Sequence, residues 1–432
     1  MPAIFEEAPV PETYFMRMPR PLTGLFIVSA FQCLSFSAFS QGSLTPPGPP
    51  GPTMKSLDQI EARTPVDAAH LDHDNLDQFL IKKSGSYYLT GNIKGVAGKN
   101  GIGIQANNVI LDLNGFALDG GGVGFAAVDA FSSRGGRIFN GTVTGWTGQS
   151  AVSTSAAGQI DHVTAMGNAG FAMFLSADSV AHNCTASQNG GGIITDVRCG
   201  IRDCVATFNT DTGFMLGANS EIEGCISTKN GSGGFILADE CVVHHCAAGS
   251  NGASGFDATG SNGVIITFCS ASANHLGIVA GTQAVVQNCS ASANQATGIS
   301  ATAQALVLNC LVTGNAGNGI AVGSASRVSH NQVDGNAVGT GGAGIFATSG
   351  ENRIDNNNVT NNARGIRINT LDSRNLVVSN TTRDNNGLNY DIASGNRVGT
   401  IVIPPLSGNI SGDSDADAKG MGTTDPWANL SY

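Results

Sequence analysis

Five titratable residues recur in the middle of the chain at nearly constant spacing: Asp161, His182, Arg202, Glu223 and His244. Each of the last four stands two residues before a cysteine. If the surrounding segments are stacked strands, these side chains point outward from one sheet at intervals of about 5 Å. Such a column has the chemistry to bind an anionic or hydroxylated polymer, or to supply an acid and a base. The third interpretation is a solvent-exposed face without a ligand, on which opposite charges pair favourably across neighbouring strands.

The elements that would position this column are visible as a repeat. Seven cysteines mark it: Cys184, Cys204, Cys225, Cys246, Cys269, Cys289 and Cys310. Five residues after each cysteine comes an asparagine, from Asn189 to Asn315, and a Gly followed by Phe or Ile comes a few residues later. The period is 20 to 25 residues, mostly 21. A repeat of this length without interruption indicates one structural unit stacked on itself.

Within each unit, apolar and small residues alternate with polar ones at period two, which is typical of short strands. We expect an all-β parallel β-solenoid of about a dozen coils, in which like side chains form columns. The seven cysteines form an inward structural ladder of free, buried thiols that act as small hydrophobes. The asparagines stack at sharp turns, and glycine supplies the backbone angles of those turns.

A second outward column follows each Gly-Phe or Gly-Ile pair by one residue. It begins at Ala172 and continues with Ile194, Met215 and Ile236. A run of exposed apolar side chains suggests lateral contact with another chain. We therefore expect a homo-oligomer contact at this column, if the protein forms one.

Residues 85–92 (GSYYLTGN) and 109–115 (VILDLNG) resemble the opening motif of bacterial secreted β-helix proteins of the pectate-lyase-like superfold. The resemblance covers about residues 80–400. It implies a right-handed parallel β-helix. It leaves the activity open, because the superfold includes polysaccharide lyases, glycosidases, epimerases, phage tailspikes and members of other roles.

The motifs of the sugar-cleaving members are incomplete. Residues 209–211 (NTD) match the first motif of polygalacturonase-like enzymes, but the aspartate pair, Gly-His-Gly and Arg-Ile-Lys are missing. Asp413, Asp415 and Asp417 have the spacing of a calcium loop, yet Ala418 replaces its turn glycine. We expect no metal site and no cofactor, and no catalytic residue can be assigned.

The charge and the aromatic content of the chain disfavour several classes of binding partner. Charged residues make up 12 % of the chain and the net charge is −11, so a basic nucleic-acid-binding face is not expected. The same balance disfavours docking on anionic lipid. Aromatic residues make up 6 %, and neither outward column offers the stacked rings of tight sugar sites.

The N-terminus predicts export. A basic segment and an apolar stretch precede small residues near Ser40, which is the pattern of a signal peptide over residues 1–40, with translation starting at Met16 or Met18. Residues 41–65 are expected to be a Pro/Gly linker and a short helix, residues 66–401 the β-helix with its N-terminal cap, and residues 402–432 a tail or cap. The mature protein is then secreted, periplasmic or on the cell surface, without a membrane anchor.

Three functions remain open. The first is a non-catalytic surface or matrix protein that binds polysaccharide or partner proteins. The second is a polysaccharide lyase, hydrolase or epimerase. The third is a trimeric, tailspike-like fibre. The missing acid pair favours the first of these over the second.

Overall fold

The computed structural model describes residues 62–339, 341–369, 373–403 and 425–432. Over these residues the chain winds into a right-handed parallel β-solenoid of about 16 turns. No helix of the described residues is long and apolar enough to cross a membrane. The predicted signal peptide, most of the linker and short helix, and Asp413, Asp415 and Asp417 lie outside the described residues.

Each coil has three faces. The first face is a parallel sheet of 15 strands, one per coil. Its strands are Asp77–Ile81, Asn100–Ile104, Val128–Asp129, Ser150–Ser153, Phe171–Leu175, Gly191–Thr195, Phe214–Leu216, Phe235–Leu237, Ser254–Asp257, Leu276–Ala280, Ile299–Ala301, Ile320–Val322, Ile345–Ala347, Ile366–Ile368 and Tyr390–Ile392.

The second and third faces are two parallel ladders that belong to one 30-stranded sheet. The second face contains Thr64–Pro65, Gly85–Tyr88, Val109–Asp112, Val180–His182, Gly200–Arg202, Glu221–Glu223, Val242–His244, Ile265–Thr267, Val285–Gln287, Leu306–Leu308, Arg327–Ser329, Arg353–Asp355, Leu376–Val378 and Arg397–Val398. The third face contains Ile93–Lys94, Ala117–Asp119, Thr185–Ser187, Val205–Thr207, Ile226–Thr228, Ala247–Gly249, Ser270–Ser272, Ser290–Ser292, Leu311–Thr313, Gln332–Asp334, Asn358–Thr360, Thr381–Arg383, Ile401–Val402 and Asn429–Ser431. Arg134–Thr144 and Ala156–Met166 run through both faces.

The coil count is higher than the predicted dozen. The first coils have no ladder cysteine, and their register advances by more than 21 residues, as in Asp77↔Asn100 and Gly103↔Asp129. A count outward from the cysteines therefore misses coils at the N-terminal end. At the other end, Asn429–Ser431 pairs with Thr381–Arg383 and extends the third face.

A single left-handed residue turns the chain between the second and third faces. We call this turn the second corner; its residues include Asn183 (φ 53°), His245 (φ 52°) and Phe268 (φ 55°). Glycine was expected to supply such angles at the asparagine turns after the third face, and this was wrong for most coils: Gln188, Phe208 and Lys229 hold that position, and in all, 32 non-glycine residues of the described chain have positive φ. Asparagine and aspartate tolerate this conformation, and the stacked neighbours hold the other residue types in it.

The glycines of the Gly-Phe and Gly-Ile pairs serve a different purpose. A Cβ atom on Gly234 would lie 2.5 Å from the carbonyl oxygen of Gly255 and 2.9 Å from Nδ2 of Asn251. Glycine is therefore required there because the next coil approaches the backbone too closely for any side chain.

The seven ladder cysteines lie next to the second corner and point inward, each at most 2 % exposed. All nine cysteines of the described chain are free thiols. The Cys184 thiol donates to the carbonyl oxygen of His182 at 3.1 Å, and the backbone amide of Cys184 contacts Sγ of Cys204 at 3.4 Å. The adjacent Cys204 thiol and burial raise the pKa of Cys184. This thiol stays protonated and packs as a small apolar group.

Buried asparagines form a continuous amide ladder at the turn that follows the third face. Asn230 donates both its backbone amide and Nδ2 to Oδ1 of Asn251 at 3.0 Å. Asn251 repeats the pattern with Asn274 in the next coil. The side chains thus satisfy the backbone groups that the turn leaves without partners, which a buried turn requires.

The first face packs its aromatic side chains into the interior. Phe214, Phe235 and Phe256 are fully buried. Their rings are stacked, with centroids 5.0 Å and 4.7 Å apart and interplanar angles of 6°. The aromatic stack, the thiol ladder and the buried aliphatic residues of the other coils form one continuous core. A ligand that binds the folded solenoid therefore contacts a face or a corner.

Candidate functional site

The titratable column lies on the outer side of the second face. Asp161, His182, Arg202, Glu223 and His244 are Cα partners of one another in consecutive coils. In the last four coils, the neighbouring middle residue of each strand is fully buried. The parallel register therefore places the five side chains on one surface, at a coil spacing of about 4.8 Å.

The Asp161 end of the column is already occupied by internal partners. The Asp161 carboxylate forms an ion pair with Arg137 and lies 2.7 Å from Nδ1 of His162. Burial raises the pKa of Asp161, but the hydrogen bonds and charges of Arg137 and His162 outweigh burial and leave the pKa below its usual value. This carboxylate is therefore ionised at neutral pH and is no proton donor.

The rest of the column is partly self-compensating. Arg202 lies 3.5 Å from Glu223 and 3.7 Å from Glu221, with all three side chains about half exposed. Nδ1 of His244 lies 2.6 Å from Oγ1 of Thr267. Exposed ion pairs of this kind contribute about 0–1 kcal/mol, so these groups remain accessible to a ligand.

The two carboxylates of the column cannot work as a glycosidase pair. Asp161 and Glu223 are three coils apart. This places them about 14 Å apart along the axis. Glycosidases hold their two carboxyl groups about 5 to 9.5 Å apart.

The second corner runs beside the column, one residue further along each coil. Phe268 is a bulky residue in the left-handed conformation and is 55 % exposed. Its ring stacks on the ring of His245, with centroids 5.1 Å apart and an interplanar angle of 6°. The left-handed backbone is shared by 31 other non-glycine residues of the described chain, so the exposed ring stacked on His245 is what distinguishes this position.

A shallow depression of about 550 Å³, open to solvent over most of its extent, lies against this ring pair. We call it the corner groove, and its lining residues are His245, Phe268, Cys269, Ser270, Asn288, Cys289, Ser290, Asn309 and Leu311. Asn288 and Asn309 continue the second corner in the next two coils, at φ 55° and 53°. Ser270 and Ser290 are register partners on the third face. The groove therefore presents two parallel rows, a ring and two amides at the corner and two hydroxyls on the third face.

Sequence reasoning missed the corner groove. The expectation that stacked rings are lacking considered the outward columns of the strands, whereas these rings lie at a corner. The signal was the residue immediately before each ladder cysteine: His245 precedes Cys246 and Phe268 precedes Cys269. An aromatic residue at a turn position that favours Asn or Gly is the pattern to look for.

The groove has groups that can bind a hydroxylated ligand. Its nine lining residues, all within the described chain, include no Asp, Glu, Lys or Arg, and His245 is their one imidazole. Cleavage of a glycosidic bond by the usual route needs two carboxyl groups. A ring face with nearby amides and hydroxyls can hold a ligand that has an apolar face and hydroxyl groups.

The apolar column lies on the outer side of the first face. Ile194, Met215 and Ile236 are register partners and are half-buried. In the preceding coil the partner of Ile194 is Phe174, and Ala172 is fully buried instead. The Gly170-Phe171 pair lies two residues earlier in its strand than Gly192-Ile193, so counting one residue from it reaches the buried position of Gly192 rather than that of Ile194.

One buried carboxyl group lies at the N-terminal end of the first face. Asp77 is 5 % exposed and accepts a hydrogen bond from Nδ2 of Asn100 at 2.9 Å. Burial raises the pKa of Asp77 more than this hydrogen bond lowers it. The described residues contain no cluster of three or more His, Cys, Asp or Glu that could hold a metal ion.

Comparison with known proteins agrees with the fold. Residues 222–352 match the family model described as a right handed beta helix region. No curated protein matches the chain.

Several solved structures are similar to it. One is the A-module of the mannuronan C-5 epimerase AlgE6 of Azotobacter vinelandii, which is 13 % identical, with a TM-score of 0.42 over 75 % of this chain and 92 % of that one. Another is the Dettilon tailspike protein, 14 % identical with a TM-score of 0.42 over 69 % of this chain and 62 % of that one. A third is the tailspike protein of E. coli bacteriophage HK620 in complex with a pentasaccharide, 11 % identical with a TM-score of 0.39 over 87 % and 79 %. At these identities the likeness concerns the fold alone.

Proposed function

We propose that this protein is an exported, non-catalytic β-helix that binds a polysaccharide along the corner groove. The observation that carries the proposal is the exposed ring of Phe268, stacked on His245 at the edge of an open groove. Removing an exposed aromatic ring from water is favourable. The apolar face of a sugar can cover such a ring, while the hydroxyl groups of the sugar remain free to form hydrogen bonds.

The surroundings of Phe268 support a sugar ligand. The amides of Asn288 and Asn309 and the hydroxyls of Ser270 and Ser290 both donate and accept hydrogen bonds, which matches the hydroxyl groups of a sugar. The rigid parallel sheet holds these groups in place before binding, so little ordering opposes the association.

The titratable column is proposed as a polar extension of the same site, because His244 lies beside His245 and the column continues from there along the axis to Asp161. Its exposed members, such as Arg202 and Glu223, can form additional hydrogen bonds to a long polymer. Contacts at an exposed rim contribute less than a central ring contact. Simultaneous replacement of His182, Arg202 and Glu223 by Ala should therefore weaken polysaccharide binding by only about threefold, or ~0.7 kcal/mol.

The experiment measures binding of soluble polysaccharides to the purified protein, together with the release of reducing or unsaturated ends. The expected result is binding without release, with Phe268→Ala weakening the binding. Phe208→Ala is the matched control, because Phe208 is also left-handed (φ 55°) and 53 % exposed but lies at the turn after the third face. Release of new ends, or equal effects of the two variants, would overturn the proposal.

Self-association is a second candidate function, favoured by the apolar column of Phe174, Ile194, Met215 and Ile236. Four half-buried apolar side chains in register form a strip that a second copy could cover. Light scattering tests this directly: an oligomer that Met215→Glu dissociates supports it, and a monomeric parent protein refutes it.

A further inference from the structure

The polarity of the corner groove indicates whether the polysaccharide that it binds is neutral or charged. This inference rests on the proposed function, the binding of a polysaccharide in the groove. The lining residues include no Lys or Arg, although the chain has 21 of them. The whole chain has a net charge of −11. A carboxylated or sulfated glycan entering the groove would lose part of its hydration without gaining a fixed positive partner. It would also be repelled over a longer range.

We infer that the ligand of the corner groove is a neutral glycan whose chain runs along the solenoid axis. Its acceptor and donor groups would meet amides rather than ions, and amides pair well with neutral hydroxyls.

The direction of the chain follows from the register. Phe268, Asn288 and Asn309 occupy the same corner position in three consecutive coils. They recur at the coil spacing of about 4.8 Å, so a linear polymer with a repeat near this spacing meets an equivalent group at each coil. Ser270 and Ser290 follow the same direction on the third face. Leu311 ends this row of hydroxyls with an apolar side chain.

Each group has a separate role in this arrangement. The ring of Phe268 is 55 % exposed and contacts the apolar face of one sugar with the part of the ring that its stacked neighbour His245 leaves uncovered. The amides of Asn288 and Asn309 bind hydroxyls of the sugars that follow. Affinity should therefore rise with oligosaccharide length until the ligand spans these three coils, and then change little.

The experiment compares two sets of probes by calorimetry at physiological salt. The neutral set is soluble β-glucan, mannan and their oligosaccharides, and the acidic set is polygalacturonate and alginate. At least one neutral probe should bind, with Phe268→Ala weakening it about tenfold, or ~1.4 kcal/mol, while Phe208→Ala changes it by less than about twofold.

A charge variant tests specificity in the same groove. Asn288→Lys places a cation beside the ring, and Lys229 shows that lysine can adopt the left-handed conformation in this fold (φ 55°). This variant should lose affinity for the neutral probe and gain salt-sensitive affinity for polygalacturonate, because screening weakens exposed charge pairs.

The outcomes separate the two proposals. Binding confined to the acidic set, or affinity independent of oligosaccharide length, refutes the neutral-glycan inference and leaves polysaccharide binding standing. A folded protein that binds no probe of either set refutes both. Neutral binding that Phe268→Ala leaves unchanged moves the site away from the groove and also refutes the inference.

Discussion

Replacing Phe235 by Ala should destabilise the protein strongly, because its ring is the middle member of the aromatic stack. Phe235 is fully buried, and its ring lies between those of Phe214 and Phe256 at 5.0 Å and 4.7 Å. Phe→Ala changes in a core cost about 3–5 kcal/mol. Each aromatic pair contributes about 0.5–1.5 kcal/mol beyond burial, and Phe235 loses two such pairs. The loss should be near the top of the range, at about 5 kcal/mol, because hydrogen-bonded coils on both sides keep the cavity open.

Two variants calibrate this expectation. Phe256 has one stacked phenylalanine partner, so Phe256→Ala should cost about 1 kcal/mol less than Phe235→Ala. Ile236 is half-buried on the outer side of the same strand, so Ile236→Ala should cost about 1 kcal/mol or less.

The assay is equilibrium unfolding in urea with both midpoint and slope reported. A solenoid can lose coils separately, and the slope shows whether the variants still unfold as one unit. Equal losses for Phe235→Ala and Ile236→Ala would refute the inward and outward assignment of the first face. Light scattering on the same samples identifies the alternative case, in which Ile236 is buried between copies.

Three further changes test other parts of the solenoid by the same unfolding measurement. Asn251→Ala removes the acceptor of two hydrogen bonds from Asn230 and should lower the free energy of unfolding by about 3 kcal/mol. Ser250→Ala, at an exposed position in the same turn, should lower it little. Similar losses for the two variants would mean that the amide ladder is not a main source of stability. Burial raises the pKa of Asp355, but its two arginine partners, Arg327 and Arg353, outweigh burial and lower this pKa overall. The Asp355 carboxylate therefore stabilises the protein at pH values above the pKa of an unfolded aspartate, and this stabilisation is lost as the pH falls through the lowered pKa. Asp355→Asn should thus cost about 1–2 kcal/mol at pH 7 and progressively less in acid, and a pH-independent difference would contradict the assignment. Burial raises the pKa of Asp77, so ionisation of Asp77 destabilises the folded protein as the pH rises. The Asp77→Asn variant should therefore be more stable than the parent protein at pH 7. A less stable variant at pH 7 would refute the raised pKa.

Most of the architecture could be predicted because a solenoid is nearly one-dimensional. Each coil contacts its neighbours in the same way, so a repeat in the sequence becomes a column in space. The interval from Cys225 to Cys246 is also the interval from Glu223 to His244, and this alone predicts that the two surface residues are register partners. The coils before Cys184 were undercounted because their turns differ in length and lack the marker residue.

The placement of individual side chains was less predictable where the pattern shifts along a strand. Counting from the Gly170-Phe171 pair assigned Ala172 to the surface, although the structure buries it and exposes part of Phe174 instead. In this coil the Gly-Phe pair comes two residues earlier in the strand, so Ala172 stands at the buried position that Gly192 occupies in the next coil.

The sequence by itself determined the stacking, the inward thiol and amide ladders, and the order of the titratable column, since these depend on the period alone. Only the tertiary structure decided that each coil has three faces and that a left-handed residue exposes its side chain at the second corner. His245 and Phe268 are 23 residues apart in the chain, and their rings meet because two successive coils turn at the same place. The groove beside them is lined by residues from successive coils, which only the folded solenoid brings together and no single segment contains.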